Sequence, residues 1–159
     1  MGEDDQQRRD TTTVPADTRV PVPDWLREVN AKVLAGEFGP DFDVLCVVGR
    51  RSGLPRLTPV TPVEIAGASY VVGGFPGADW VRNARAAGVG TWRVGEMERS
   101  VRLVEVGPDE ARPVLRALPS TSPSGAEVMR DAGVVDDVTA EAFEGLTGRC
   151  PVFRLDVVA

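Results

Sequence analysis

Val44-Leu45-Cys46-Val47-Val48-Gly49-Arg50-Arg51-Ser52-Gly53-Leu54-Pro55-Arg56 is an apolar run, a glycine-bounded loop of arginines and a serine, and the start of a second run. Five apolar residues rich in valine, closed by a glycine, read as a buried strand. The loop after it decides the architecture. It has neither the Gly-x-Gly-x-x-Gly spacing that opens a dinucleotide-binding βαβ unit nor the Gly-Lys-Ser/Thr of a nucleotide phosphate loop. The loop leads into another strand-like run, Arg56 to Ile65, and not into a helix. Pro59 and Pro62 inside that run mark it as an edge strand, a bulged strand or one whose open side faces a ligand, with the ligand favoured. Further strands are predicted at Tyr70–Val72, Gly90–Val94, Val101–Val106 and Pro151–Val158. Helices are predicted from Trp25 to about Ala35 with Asp24 as N-cap, from Trp80 to Ala87 with Asp79 as cap and Gly88 as stop, and over Pro108–Leu118. Pro119 to Gly125 reads as a loop, and weaker helices come after it at Gly125–Ala132 and Thr139–Leu146. Short antiparallel strands interrupted by helices, without βαβ alternation, point to an α+β fold built on a small barrel.

Composition narrows the function. The chain has 159 residues, 42% hydrophobic, enough for one domain with a core and a pocket. Residues 1–22 are polar, threonine-rich and broken by proline, which predicts a mobile tail ahead of a single domain at 23–159. The net charge of -6 argues against general affinity for nucleic acid or for an anionic membrane. The charge is uneven, however. Residues 50–102 carry eight basic and four acidic groups, whereas the segments on either side each carry five basic and ten acidic. A basic middle third in an acidic protein fits a small anionic ligand. Histidine is absent, which removes the imidazole base of hydrolase triads and the commonest zinc ligand. Cys46 and Cys150, each beside apolar residues, read as core thiols. No stretch has the pattern of a signal peptide or reaches membrane-spanning length, so a cytoplasmic location without stable membrane insertion is expected.

The candidate site begins at the arginines. Arg50, Arg51 and Arg56 bring planar, permanently charged donors, and Ser52 adds a hydroxyl, to a loop whose glycines permit a sharp turn; this is the make-up of a phosphate clamp. The same composition also occurs in solvated turns. Trp80, Asn83 and Arg82 or Arg85 are brought near one another by the short helix after Asp79, with Trp80 equally explained as a core aromatic. Glu64 and Asp79 make no acid–base pair, and neither a catalytic side chain nor a metal ligand set is expected.

Four segments in order, Gly49-Arg-Arg-Ser-Gly-x-Pro-Arg56, Thr58-Pro-Val-Thr-Pro-Val63, Gly73-Gly-Phe-Pro-Gly-Ala-Asp-Trp-Val-Arg-Asn-Ala-Arg85 and Cys150-Pro-Val-Phe-Arg-Leu155, carry a resemblance. Over residues 38–158 the chain resembles the deazaflavin-dependent nitroreductase and quinone reductase family of actinobacteria. A preference for arginine that leaves Lys32 the only lysine agrees with a GC-rich source. The resemblance implies a flavin-reductase-like split β-barrel with peripheral helices, binding the reduced 8-hydroxy-5-deazaflavin coenzyme F-420. It implies that Arg50, Arg51, Ser52 and Arg56 hold the phosphate and the acidic oligoglutamate tail. Pro59, Val60 and Thr61 would line the ring, and Gly74, Trp80, Asn83 and Arg85 would complete the far wall. A homodimer and a small-molecule substrate are implied likewise. Because the coenzyme carries the hydride chemistry, the lack of histidine and of a reactive cysteine is consistent with such an enzyme. The expected acceptor is a quinone, an enone or an activated nitro compound. Where family members place aromatic hydroxyls, Pro119-Ser-Thr-Ser-Pro-Ser-Gly125 offers only serine and threonine, which leaves the substrate open. Two other readings stay in view: a noncatalytic binder or carrier of the coenzyme, and a flavin mononucleotide enzyme on the same fold.

Overall fold

The structure is a computed structural model that describes residues 22–37 and 42–158. The tail expected at 1–22 lies outside the described residues except for Val22, which packs against a core cluster. Helix α1 spans Asp24–Leu34, followed by β1 (Asp43–Val48), β2 (Pro55–Val60), β3 (Val63–Ile65) and β4 (Ala68–Val72). Then come α2 (Asp79–Ala87), β5 (Val89–Val94), β6 (Met97–Glu105), α3 (Pro108–Thr121), α4 (Pro123–Asp131), α5 (Ala140–Glu144) and β7 (Val152–Val157). The strands form one sheet in the order β2-β1-β5-β6-β7-β4-β3 with every pair antiparallel.

That order forces the sheet to curl. β2 and β3 are its two ends, yet only Thr61 and Pro62 join them. Three Cα steps reach at most about 11 Å, whereas six flat strand spacings would separate the edges by about 29 Å. The end of β2 and the start of β3 are therefore drawn together, and the sheet curls into a half-barrel. The single strand expected over Arg56–Ile65 is corrected to two strands at opposite edges. Pro59 sits on the edge strand β2, where its missing N–H costs no ladder bond to a further strand.

Inside the curl, Leu45, Val47, Trp92, Val101, Leu103, Phe153 and Leu155 meet Val81 and Ala84 of α2. On the outer face, Val63, Tyr70 and Val152 are covered by Val114, Leu115 and Leu118 of α3, Ala126 and Met129 of α4, and Phe143 of α5. Each large side chain buried here contributes roughly 1.5–3 kcal/mol. Burial of α3's apolar stripe outweighs its internal prolines, Pro113 and Pro119. The loop expected at Pro119–Gly125 is consequently helix, with Ser122 as the one residue between α3 and α4. Both helices start with proline in the first turn, where no intrahelical N–H is lost.

Two expected caps are also corrected. Asp24 and Asp79 lie inside the first turns of α1 and α2, with Pro23 and Ala78 at the N-cap positions and no side-chain cap bond. Their charges still complement the helix dipole. Thr139 does cap α5, accepting from the Ala142 N–H at 3.0 Å. Cys150 is buried, whereas Cys46 is only partly so. No helix among the described residues is long and apolar enough to cross a membrane.

Candidate functional site

The arginine loop is the hairpin turn between β1 and β2, in register from Val48 opposite Pro55. Its backbone closes twice, Gly49 N–H to Leu54 C=O at 2.8 Å and Gly53 N–H to Gly49 C=O at 2.9 Å. Gly53 takes φ +71°, a left-handed value that glycine alone adopts without strain. Ser52 Oγ accepts from the Leu54 N–H at 3.1 Å, which leaves its own hydroxyl proton to donate.

α2 lies beside this turn and anchors it through Asn83. Asn83 is 4% exposed and is the one buried polar or charged residue in the described core. Its Oδ1 accepts from the Arg50 backbone N–H at 3.0 Å and from Arg50 Nη1 at 2.9 Å. Its amide nitrogen, equally buried, has no partner among the described residues. A buried donor left over at a cleft is a group waiting for an acceptor. Arg50, its side chain 24% exposed, also meets the well-solvated Asp79 carboxylate at 3.5 Å. Arg51 and Arg56 have no ion-pair partner among the described residues. Together these residues line a cleft of about 300 Å³ with Gly49, Thr58 and Trp80.

Thr58 and Trp80 also border a second hollow of about 230 Å³, so cleft and chamber adjoin. The chamber is apolar. β2 and its exit give it Pro59, Val60 and Thr61; the barrel gives it Val71, Val72, Gly74 and Phe75; α1 gives Leu26 and Asn30, and the α3–α4 junction gives Leu118, Ser122, Val128 and Met129. Gly74 lies close under Met129: an added Cβ would stand 2.9 Å from the Met129 sulfur and would push that flexible side chain aside. Trp80 packs its ring 5.8 Å from that of Phe153, tilted by 55°, so it serves the core and the site together.

Ten of the eleven residues singled out in the sequence therefore line one two-part groove. Arg85 does not. It forms a two-point ion pair with Glu105 of β6, at 2.9 and 2.8 Å, beside a separate small hollow near the start of α3. The Glu105 hydrogen bonds raise the Arg85 pKa above its ordinary value. Residues not singled out in the sequence are Asp79 at the cleft and Leu26 and Asn30 at the chamber, whereas Ser122 and Gly125 belong to the segment that the resemblance set against the substrate. One signal for Asn30 was available. It follows Leu26 by four and precedes Val33 by three, so it interrupts the apolar stripe of α1.

Comparison with solved structures gives the same fold. One match, described as a domain-swapped dimer, has 21% identity and a TM-score of 0.52 over 84% of this chain and 98% of that one. An F420-H2 dependent reductase has 20% identity and a TM-score of 0.52, covering 73% of this chain and 94% of its own. Atu2129 of Agrobacterium tumefaciens, of unknown function, has 16% identity and a TM-score of 0.53 over 92% of this chain and 60% of its own. No curated protein matches the chain. The sequence profile of F420H(2)-dependent quinone reductases matches residues 22–135, which takes in both halves of the groove. The chain belongs to the F420H(2)-dependent quinone reductase family, and is an oxidoreductase that works with F420H2.

Proposed function

We propose that the groove binds F420H2 with its anionic arm in the arginine cleft and its ring in the chamber, for reduction of a quinone, enone or activated nitro acceptor. The observation that carries this reading is the junction at Thr58 and Trp80, where a cleft of three guanidinium groups opens onto an apolar hollow. The donor set fits such a coenzyme. Arg51 and Arg56 bring unpaired charge, Arg50 is held in place by Asn83, and the Asn83 amide supplies a buried donor. Charge-assisted hydrogen bonds of this kind are worth about 1.5–3 kcal/mol each.

When bound, the coenzyme supplies the hydride. The chain orients and shields. Asn83 fixes the Arg50 rotamer before any ligand arrives, so less ordering remains to be done on binding. Pro59 and Val60 back the chamber with a strand whose conformation is restricted by its prolines, and Leu26, Phe75, Leu118 and Met129 keep water from the opposite side. The wall formed by α1 and the α3–α4 junction is left for the acceptor.

A single domain is expected from the shared sheet, both faces of which carry the described core. A homodimer is part of the reading, supported by the relative described as a domain-swapped dimer and by Val48 and Leu57 of β1 and β2, which remain 49% and 41% exposed. The direct test mixes protein, F420H2 and menadione without oxygen and tracks the absorbance of the oxidised coenzyme. Protein-dependent oxidation that requires menadione is expected; an absence of turnover with quinone, enone and nitro acceptors contradicts the proposal.

A further inference from the structure

Two polar side chains in the chamber have no structural task. Ser122 stands at the N-cap of α4, where a serine oxygen ordinarily accepts from the first turn of the helix, yet it makes no cap bond. Its backbone is fully engaged, the N–H with Leu118 C=O at 2.8 Å and the C=O with the Ala126 N–H at 2.9 Å. The hydroxyl is left over. Gly125 gives it room, since a Cβ there would come within 2.7 Å of Ser122 Oγ. Asn30, on α1, has a carboxamide without a hydrogen bond among the described residues. Both residues line the chamber, and no charged residue does among those described.

We infer that Asn30 and Ser122 are a specificity-determining pair that donates hydrogen bonds to the carbonyl oxygen of a neutral, flat acceptor. The inference rests on the proposed function, which gives this wall to the acceptor. Unpaired donors in an apolar hollow favour a ligand oxygen that satisfies them and disfavour a hydrocarbon that does not. The uncharged lining excludes ionised acceptors, whose desolvation nothing there offsets. Thr58 and Thr61, the other hydroxyls, sit on or beside β2, the wall assigned to the coenzyme.

The test needs no coenzyme. Menadione and 2-methylnaphthalene share a ring system and differ in the carbonyl oxygens, and the binding of both to the full chain can be measured by equilibrium dialysis. Wild type is expected to bind menadione about tenfold more tightly than the hydrocarbon, and an Asn30→Leu, Ser122→Ala double variant to lose that preference while keeping its hydrocarbon affinity. Ser122→Thr should retain most of the preference. Gly125→Ala, which displaces the hydroxyl without removing it, should weaken menadione binding with no loss of melting temperature, because alanine is the better helix former. Equal binding of the two ligands by wild type, or a double variant that loses both affinities together or neither, overturns the inference. Failure of the protein to oxidise F420H2 would overturn the proposed function instead, and would leave these binding results as they stand.

Discussion

Asn83 Oδ1 accepts two hydrogen bonds from Arg50, and this small arrangement decides whether the cleft is ready for an anion. Asn83→Ala leaves the Arg50 N–H and guanidinium without their acceptor in a part-buried setting, at a cost of about 1–3 kcal/mol. The expected outcome is a lower urea midpoint together with coenzyme affinity weakened about tenfold; an unchanged affinity would show that Arg50 holds its place unaided. Asp79 acts in the opposite direction. Its exposed carboxylate competes for Arg50 at 3.5 Å, so Asp79→Asn should tighten coenzyme binding severalfold at low salt, with the gain fading at high salt. Arg85→Ala should leave coenzyme affinity as it is, measured in the same titration, because Arg85 is committed to Glu105. The spacing explains this. Trp80 and Asn83, three apart, share a helix face, whereas Arg85 is only two residues past Asn83 and points elsewhere. The arginine loop was legible because its chemistry is local. The placement of Ser122 and Gly125 near the substrate followed from the resemblance alone, and their helix–helix joint was hidden because prolines on both sides gave it the pattern of a loop.

At the scale of elements, α3 is tied to the sheet by one polar network. Tyr70 of β4 donates to Glu110 of α3 at 2.8 Å, and Arg154 of β7 bridges Glu110 and Asp156, both at 2.7 Å. Burial, reinforced by the bond to Glu110, raises the Tyr70 pKa. The Arg154 hydrogen bonds hold the carboxyls of Glu110 and Asp156 below their ordinary values. Native values below those of the unfolded chain mean a stabilisation fully present above roughly pH 4 to 5 and lost as pH falls through the native pKa values. Arg154→Leu should therefore flatten the acid limb of stability against pH, measured by thermal melts from neutral pH down to about pH 3; an unchanged acid limb would show that the network carries no linkage. None of this could be read from sequence, since its four members lie on three elements. Strand content was legible from runs rich in valine. The division between β2 and β3 was not, because Val60-Thr61-Pro62-Val63 keeps a strand-like composition while the chain crosses from one sheet edge to the other.

For the whole molecule, the curling of the sheet brings three of the eight arginines of the basic middle third, Arg50, Arg51 and Arg56, to one groove. The hairpin arginines of β1 and β2 come to lie beside α2, and the proline-restricted strand beside α1 and the α3–α4 joint. Charge asymmetry along the chain announced an anion site, and the motif order announced the family; the second wall of the chamber needed the tertiary fold. The central claim is that the arginine cleft holds the anionic arm of F420H2. Titration of the coenzyme, monitored by fluorescence over a range of salt, into wild type and an Arg50→Ala, Arg56→Ala double variant tests that directly. With two charge-assisted contacts removed at about 1.5 kcal/mol each, the double variant should bind about a hundredfold more weakly and with a shallower salt dependence. Equal affinities and equal salt slopes for the two proteins would contradict it.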